Sequence, residues 1–277
     1  MSAPRGNEQH QDLWGHGTFP ELAPVFRSCM GYASCPGWHA IQEAVLATFS
    51  GFKGLRTVEL GCGEGKVSLL FALQGAKTTL VDYSEKQLGN ARHVAEAFAI
   101  EPVFMPGNLL RLPSEAFDRY DVSMSFGTAE HFFDEDRQTI FDVHRRVLRP
   151  GGITLVWVPN RWGLLFHAGV AVRQKLGRVT CPVDEIPFSR GELAERASRA
   201  GLRVVRIVGA DYLRNDFNNF IVNLRRLCRL PERAGTYEGV EAARAKLLAT
   251  MEQNESRPGV FANLFSYPLL LIAQRPT

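Results

Sequence analysis

The sequence predicts an α/β chain: a doubly wound, mostly parallel sheet of seven strands with helical lid insertions. Three observations carry that expectation. From Leu55 to Asn160, short apolar runs alternate with helical patterns, the rhythm of parallel strands covered on both faces. Within that stretch, Thr57-Val-Glu-Leu-Gly-Cys-Gly-Glu-Gly-Lys66 joins an apolar run to a helical pattern through glycines at 61, 63 and 65. Beyond Asn160 the rhythm breaks, and the last two apolar runs are separated by about fifty residues.

The opening, Met1 to Gln11, is polar and reads as disordered, and Asp12 to Pro20 as irregular. After Pro36 the residues Trp38, Ile41, Val45 and Phe49 share one helical face, and Gly51 to Gly54 ends that helix. Residues 1–50 are therefore expected to form an N-terminal helical cap, and residues 51–277 the main domain. The strands are expected at Arg56–Leu60, Thr78–Val81, Pro102–Met105, Asp121–Ser125, Ile153–Val158, Leu202–Val208 and Ser266–Ala273. Helices are expected from about Lys66 to Gln74, Glu85 to Ala99 behind a Ser84 cap, Asp134 to Leu148, and Pro187 to Gly201. Insertions at about 161–185 and 213–260 carry further helical patterns, at 161–180, Phe217–Leu230 and Val240–Glu252.

The 277 residues suit one elaborated domain, and 45% hydrophobic content suits a globular core. A net charge of +3 gives no case for nucleic acid. The five cysteines form no C-x-x-C pair and read as free thiols in a reducing compartment. No early apolar run resembles a signal peptide, and none is long enough for a transmembrane segment. The expected location is cytoplasmic.

The glycine turn departs from two nucleotide loops. The dinucleotide pattern G-x-G-x-x-G would need glycine where Lys66 stands, and the P-loop would need Ser or Thr where Val67 stands. An acidic residue ending the strand, followed by G-x-G-x-G, fits: Glu59, Gly61, Gly63 and Gly65. This resembles the glycine loop of class I S-adenosylmethionine (SAM)-dependent methyltransferases, whose fold is Rossmann-like. The bland alternative is an ordinary glycine-rich turn. The resemblance continues with Asp82 ending the second strand, Asn108 after the third, Phe126 after the fourth, and the Leu148-Arg-Pro-Gly-Gly152 turn before the fifth. A last strand that arrives late often runs antiparallel in this family.

The resemblance implies SAM as cofactor and S-adenosylhomocysteine (SAH) as product. It implies that Asp82 accepts from the ribose hydroxyls, so that Asp82→Ala weakens the cofactor and leaves the fold intact. It implies that Asn108 lies beside the adenine amine, the alternative being a turn asparagine. Glu59 lies near the amino acid end and orients loop amides, and Phe126 borders the sulfonium. Cys62, Tyr83 and Leu109 complete the expected contacts, with Cys62 a small packed residue rather than a nucleophile.

Glu130-His131 is similar to the small-molecule group that includes the quinone O-methyltransferases. The residues before it, Phe126-Gly-Thr-Ala129, supply no further carboxylate, so no metal is expected. The (Asp/Asn)-Pro-Pro-aromatic motif of amino-base enzymes is missing after the fourth strand, and Cys181-Pro182 reverses the order that cytosine-C5 enzymes use. The expected acceptor is a small molecule (a natural product, sugar or quinone-like compound) methylated on O or N. His131 is the candidate base, or else it only shapes the loop; His167, Asp211 and Tyr212 follow it. The insertions, with Trp162, Phe166, Asn215 and Phe217, are expected to flank the methyl-donor end of the cofactor. Leu224-Arg-Arg-Leu-Cys-Arg-Leu230 reads as a solvated helix face, or as a surface for a membrane or anionic substrate. A homodimer is one option the sequence leaves open. A macromolecular acceptor and a non-catalytic SAM-binding regulator remain the alternative readings.

Overall fold

The computed structural model describes residues 21–175, 185–211 and 238–277. Its centre is a seven-stranded sheet: β1 (Arg56–Leu60), β2 (Lys77–Asp82), β3 (Val103–Pro106), β4 (Tyr120–Phe126), β5 (Leu148–Pro159), β6 (Arg203–Gly209) and β7 (Pro268–Gln274). The spatial order is β3-β2-β1-β4-β5-β7-β6. The pairs from β3 to β5 are parallel, while β7 runs antiparallel to both neighbours. The late strand therefore enters in the direction the resemblance implied.

The helices are α1 (Leu22–Ala33), α2 (Pro36–Phe49), α3 (Lys66–Leu73), α4 (Glu85–Ala97), α5 (Asp136–Val147), α6 (Leu164–Lys175), α7 (Arg190–Arg199), α8 (Val240–Glu252) and α9 (Val260–Phe265). Alternating side chains send each central strand into two cores. Val122, Met124, Ile153, Leu155, Leu270 and Ile272 pack with Trp38 and Ile41 of α2, Phe71 of α3 and Leu247 of α8. Val58, Leu60, Val156, Val158, Leu269 and Leu271 pack with Ile140 and Phe141 of α5 and Leu193 of α7. Both faces are covered, which explains why the strands read as apolar runs.

Three local features differ from the sequence reading. Helix α1 was not evident, because Pro24 and Gly31 interrupt its pattern; proline in the first turn sacrifices no intrahelical donor. Strand β5 begins at Leu148, because Leu148 already pairs with Tyr120 before a register shift lets Ile153 pair with Val122. The Arg149-Pro-Gly-Gly152 turn is thus an irregularity inside the strand. The short helix α9 was also unforeseen. The expected helix at 217–230 and most of the insertion at 213–260 lie outside the described residues, as do 176–184. Among the described residues no helix is long and apolar enough to cross a membrane.

Candidate active site

Strand order reverses between β1 and β4, so the loops leaving them diverge and open a crevice at the carboxyl end of the sheet. Four loops are bonded together there. Gly61 N and Cys62 N both donate to Val81 O, at 2.8 and 3.0 Å, and Gly65 N donates to Cys62 O at 2.8 Å. Gly63 N donates to Asp82 Oδ2 at 3.0 Å, and Ser84 N to Asp82 Oδ1 at 2.9 Å. Gly107 N donates to Asp82 O at 3.0 Å, which brings in the loop after β3. Thr128 Oγ1 donates to Gly61 O at 3.1 Å, which brings in the loop after β4.

Glu59 lies buried beneath the glycine turn. Its Oε2 accepts from Ser68 N at 3.2 Å and Ser68 Oγ at 2.5 Å, so it holds the first turn of α3. Burial pushes its carboxyl up to about 7, and the Ser68 bonds oppose that rise. Burial also raises Asp82, while the amides of Ser84, Gly63 and Tyr83 pull it back. Glu130 is buried behind Gly127 and pushed up to about 8 by burial. The Cys62 thiol is buried and held well above its usual range, which makes it a packed residue rather than a nucleophile.

These loops enclose a cavity of about 400 Å³. Glu59, Gly61, Cys62, Gly63 and Asp82 line it from the first two loops. Tyr83, Asn108, Leu109, Phe126 and His131, also named from the sequence, line it too. Gly65 does not line it: a Cβ there would lie 3.1 Å from Leu80 Cδ1, and the residue serves as the N-cap of α3. A Cβ on Gly63, by contrast, would meet nothing, since that position looks into open space. Asn108 uses Oδ1 to accept from Leu110 N at 2.9 Å, the role of a turn asparagine, while still facing the cavity.

The other catalytic candidates fare differently. His167 Nε2 lies 2.9 Å from Asn160 O, and His167 is not among the described lining residues. Its ring is held against the end of β5 instead of turning inward. Phe166 stacks on Tyr267, and Trp162 is exposed. Tyr212, Asn215 and Phe217 lie outside the described residues, as does the basic segment at 224–230; Asp211 is described but does not line the cavity. No described residue of either insertion lines it. The described part of the second insertion, α8, packs on α1 and α3. Among the described residues no group of three His, Cys, Asp or Glu side chains converges as a metal site.

Sequence reasoning missed Tyr32, Lys66, Gln87, Thr128 and Phe132, which also line the cavity. Gln87 stands one turn beyond the Ser84 cap, a position the helical spacing could have flagged. Tyr32 had no local signal, because only tertiary docking of α1 brings it in.

A methyltransferase-domain family model matches residues 58–152, the stretch that holds every described lining residue except Tyr32. A ubiquinone biosynthesis O-methyltransferase of Sinorhizobium fredii is 33% identical over 172 residues, covering 60% of this chain and 68% of that protein. One from Caulobacter sp. is 31% identical over 128 residues, so the match spans 50% of that relative's length and 44% of this chain. The chain belongs to the class I SAM-dependent methyltransferases. Among solved structures, it is similar to the magnesium protoporphyrin IX methyltransferase of Synechocystis with bound SAH, at a TM-score of 0.53 and 16% identity, covering 98% of this chain and 94% of that one. It is also similar to a Burkholderia thailandensis 1,6-didemethyltoxoflavin-N1-methyltransferase with bound SAH, at 0.54 and 17%, covering 100% and 94%.

Proposed function

We propose that this protein transfers a methyl group from SAM to a hydroxyl oxygen of a small quinone-type acceptor. One observation carries the reading: Gly63 and Asp82 of the cradle line the same cavity as Phe126, His131 and Phe132. The aromatic side chains of Phe126 and Phe132 suit a flat organic ring. The relatives named for ubiquinone biosynthesis support an O-directed, small-molecule acceptor over a macromolecule.

The cradle fits the cofactor. Open space over Gly63 lets a ligand lie against the backbone. Asp82 accepts loop amides on both oxygens and retains lone pairs for ribose hydroxyls, each such bond contributing about 1.5–3 kcal/mol. Glu59 takes the Ser68 amide from within, while the N-cap Gly65 supplies no side chain, and Lys66 and Val67 at that end line the cavity, an arrangement suited to a carboxylate. Ionised Glu59 favours the ammonium group nearby. Asn108 and Leu109 suit the edge of the adenine.

Bound SAM supplies a methyl group already activated by its positive sulfur. The chain's part is alignment, for which roughly 7–11 kcal/mol is available, and removal of the acceptor's proton. We assign that proton to His131, for about 10²–10⁴-fold in rate. Helix α1 reaches this site through Tyr32, and α1 with α2 reads as an N-terminal helical cap, the transferase domain beginning at about residue 51. The buried free thiols Cys29, Cys35 and Cys62 support a cytoplasmic setting, and a homodimer is compatible with the reading.

The test is incubation with isotopically methyl-labelled SAM and a panel of hydroquinones, phenols and amines, read by mass spectrometry. Label on a ring oxygen is expected; transfer to amines alone, or to none of the panel, would contradict the proposal. His131→Ala should lower kcat by about 10²–10⁴ and leave the KM for SAM nearly unchanged. If His131→Asn keeps the rate and the pH profile, the base role is lost and the histidine only shapes the loop.

A further inference from the structure

We propose that Tyr32 tells the charged methyl donor from its neutral demethylated product, making it a specificity residue for the donor end of the cavity. The proposal rests on the SAM reading above and adds a residue that no sequence motif marks.

In transfer, the carbon–sulfur bond breaks with its electron pair staying on sulfur, a carbon–oxygen bond forms, and the acceptor's proton leaves to His131. A cation thus becomes a neutral thioether, while the rest of the cofactor is unchanged. Donor and product therefore differ by one methyl group and one positive charge at sulfur, and a group that responds to that charge separates them.

The cavity wall offers such a group. Tyr32 and Phe126 both line it, with centroids 6.2 Å apart and planes at 81°. Trp157 backs them, 5.5 Å from Tyr32 at 73° and 5.6 Å from Phe126 at 36°. Burial keeps the Tyr32 phenol well above its usual range, and the carboxylates of Glu59 and Glu130 add to the rise. The ring therefore stays neutral and presents its π face to a cation. Lys66, which also lines the cavity, is paired with Glu64 at 3.0 Å.

The ring is also fixed in advance. Tyr32 O accepts from Cys35 N at 3.2 Å and from Cys35 Sγ at 3.0 Å. Asn254 Nδ2 donates to Ala33 O and Cys35 O, at 2.9 and 3.0 Å, and so ties the end of α1 to the segment after α8. Gly37 N donates to Ala210 O at 2.9 Å, and a Cβ on Gly37 would collide with the Trp157 ring. The corner between α1 and α2 is thereby seated on the ends of β5 and β6. An aromatic ring held in this way favours an adjacent cation by about 2- to 30-fold in affinity.

The experiment is calorimetric titration of the full chain with SAM and SAH, reading the ratio of the two dissociation constants. Tyr32→Phe should keep the wild-type ratio. Tyr32→Leu should shift it against SAM by about 2- to 30-fold, with SAH binding nearly unchanged. Phenylalanines carrying increasing numbers of ring fluorines at position 32 keep the shape and drain the π face, which covers the case in which the leucine variant does not fold. The ratio should fall stepwise along that series. A ratio that stays flat along it, with both ligands still bound, overturns the role of Tyr32 and leaves the SAM reading intact. A wild-type chain that binds neither ligand overturns the SAM reading itself.

Discussion

Thr128 occupies the space that a side chain on residue 61 would need. Its Oγ1 donates to Gly61 O at 3.1 Å, and a Cβ built on Gly61 would collide with its side chain. Gly61 also sits at φ 73°, where L-residues are strained. This clasp joins the loops of β1 and β4 where the strand order reverses.

Gly61→Ala should therefore lose both stability and cofactor affinity. Strain and the displaced Thr128 should together cost about 1–3 kcal/mol of unfolding free energy, measured by urea denaturation. SAM affinity should fall in the same variant. Thr128→Ala removes the hydroxyl without the collision and should be milder in both measurements.

Asp82 supports the loop as well as facing the cavity. Because it accepts from Gly63 N and Ser84 N, Asp82→Ala cannot leave the fold untouched, as the sequence alone suggested. The variant should weaken SAM by about 1.5–3 kcal/mol and also lower stability by about 1–3 kcal/mol. Asp82→Asn keeps one carbonyl acceptor and should lose less stability than the alanine variant while still losing affinity. Calorimetry and denaturation on the same samples separate the two effects.

Two buried groups give stability opposite pH dependences. Glu130 is pushed up to about 8 by burial, and among the described residues its Oε2 has no hydrogen-bond partner. Its proton is held more tightly in the folded state, so its contribution is full below about 4.5 and is lost as pH rises toward 8. Glu130→Gln stays neutral and should gain roughly 2–4 kcal/mol on wild type between about pH 5 and pH 9. His144 is buried among Ser123 Oγ at 3.1 Å, Ser125 Oγ at 3.0 Å and Thr154 Oγ1 at 3.0 Å, and burial pushes it down to about 3. Its contribution is present above about 6.5 and is lost as pH falls toward 3. In His144→Gln the acid limb should flatten by up to about 1.4 kcal/mol per pH unit. Urea denaturation across the pH range reads both.

The sheet and the loops that line the cavity were legible because their signals are local. Val58 and Leu60 alternate with Thr57 and Glu59 in a short run, and the glycines follow at once. Ser84 caps α4 by accepting from Gln87 N at 3.3 Å, as its position predicted. What escaped depends on contacts distant in sequence. Tyr32 reaches the cavity because Asn254 and Ala210 hold the α1–α2 corner, and nothing near residue 32 announces that. His167 looked available in the sequence, yet its ring is occupied by Asn160 O. Asn108 turned out to serve the turn and face the cavity at once, a combination that spacing alone does not resolve.

The most direct test of the account is calorimetric titration of the wild-type chain with SAM, and separately with NAD and ATP. The account predicts saturable binding of one SAM per chain, the same one-to-one stoichiometry for SAH, and no heat from NAD or ATP. Tight binding of NAD, or no binding of SAM, would contradict it.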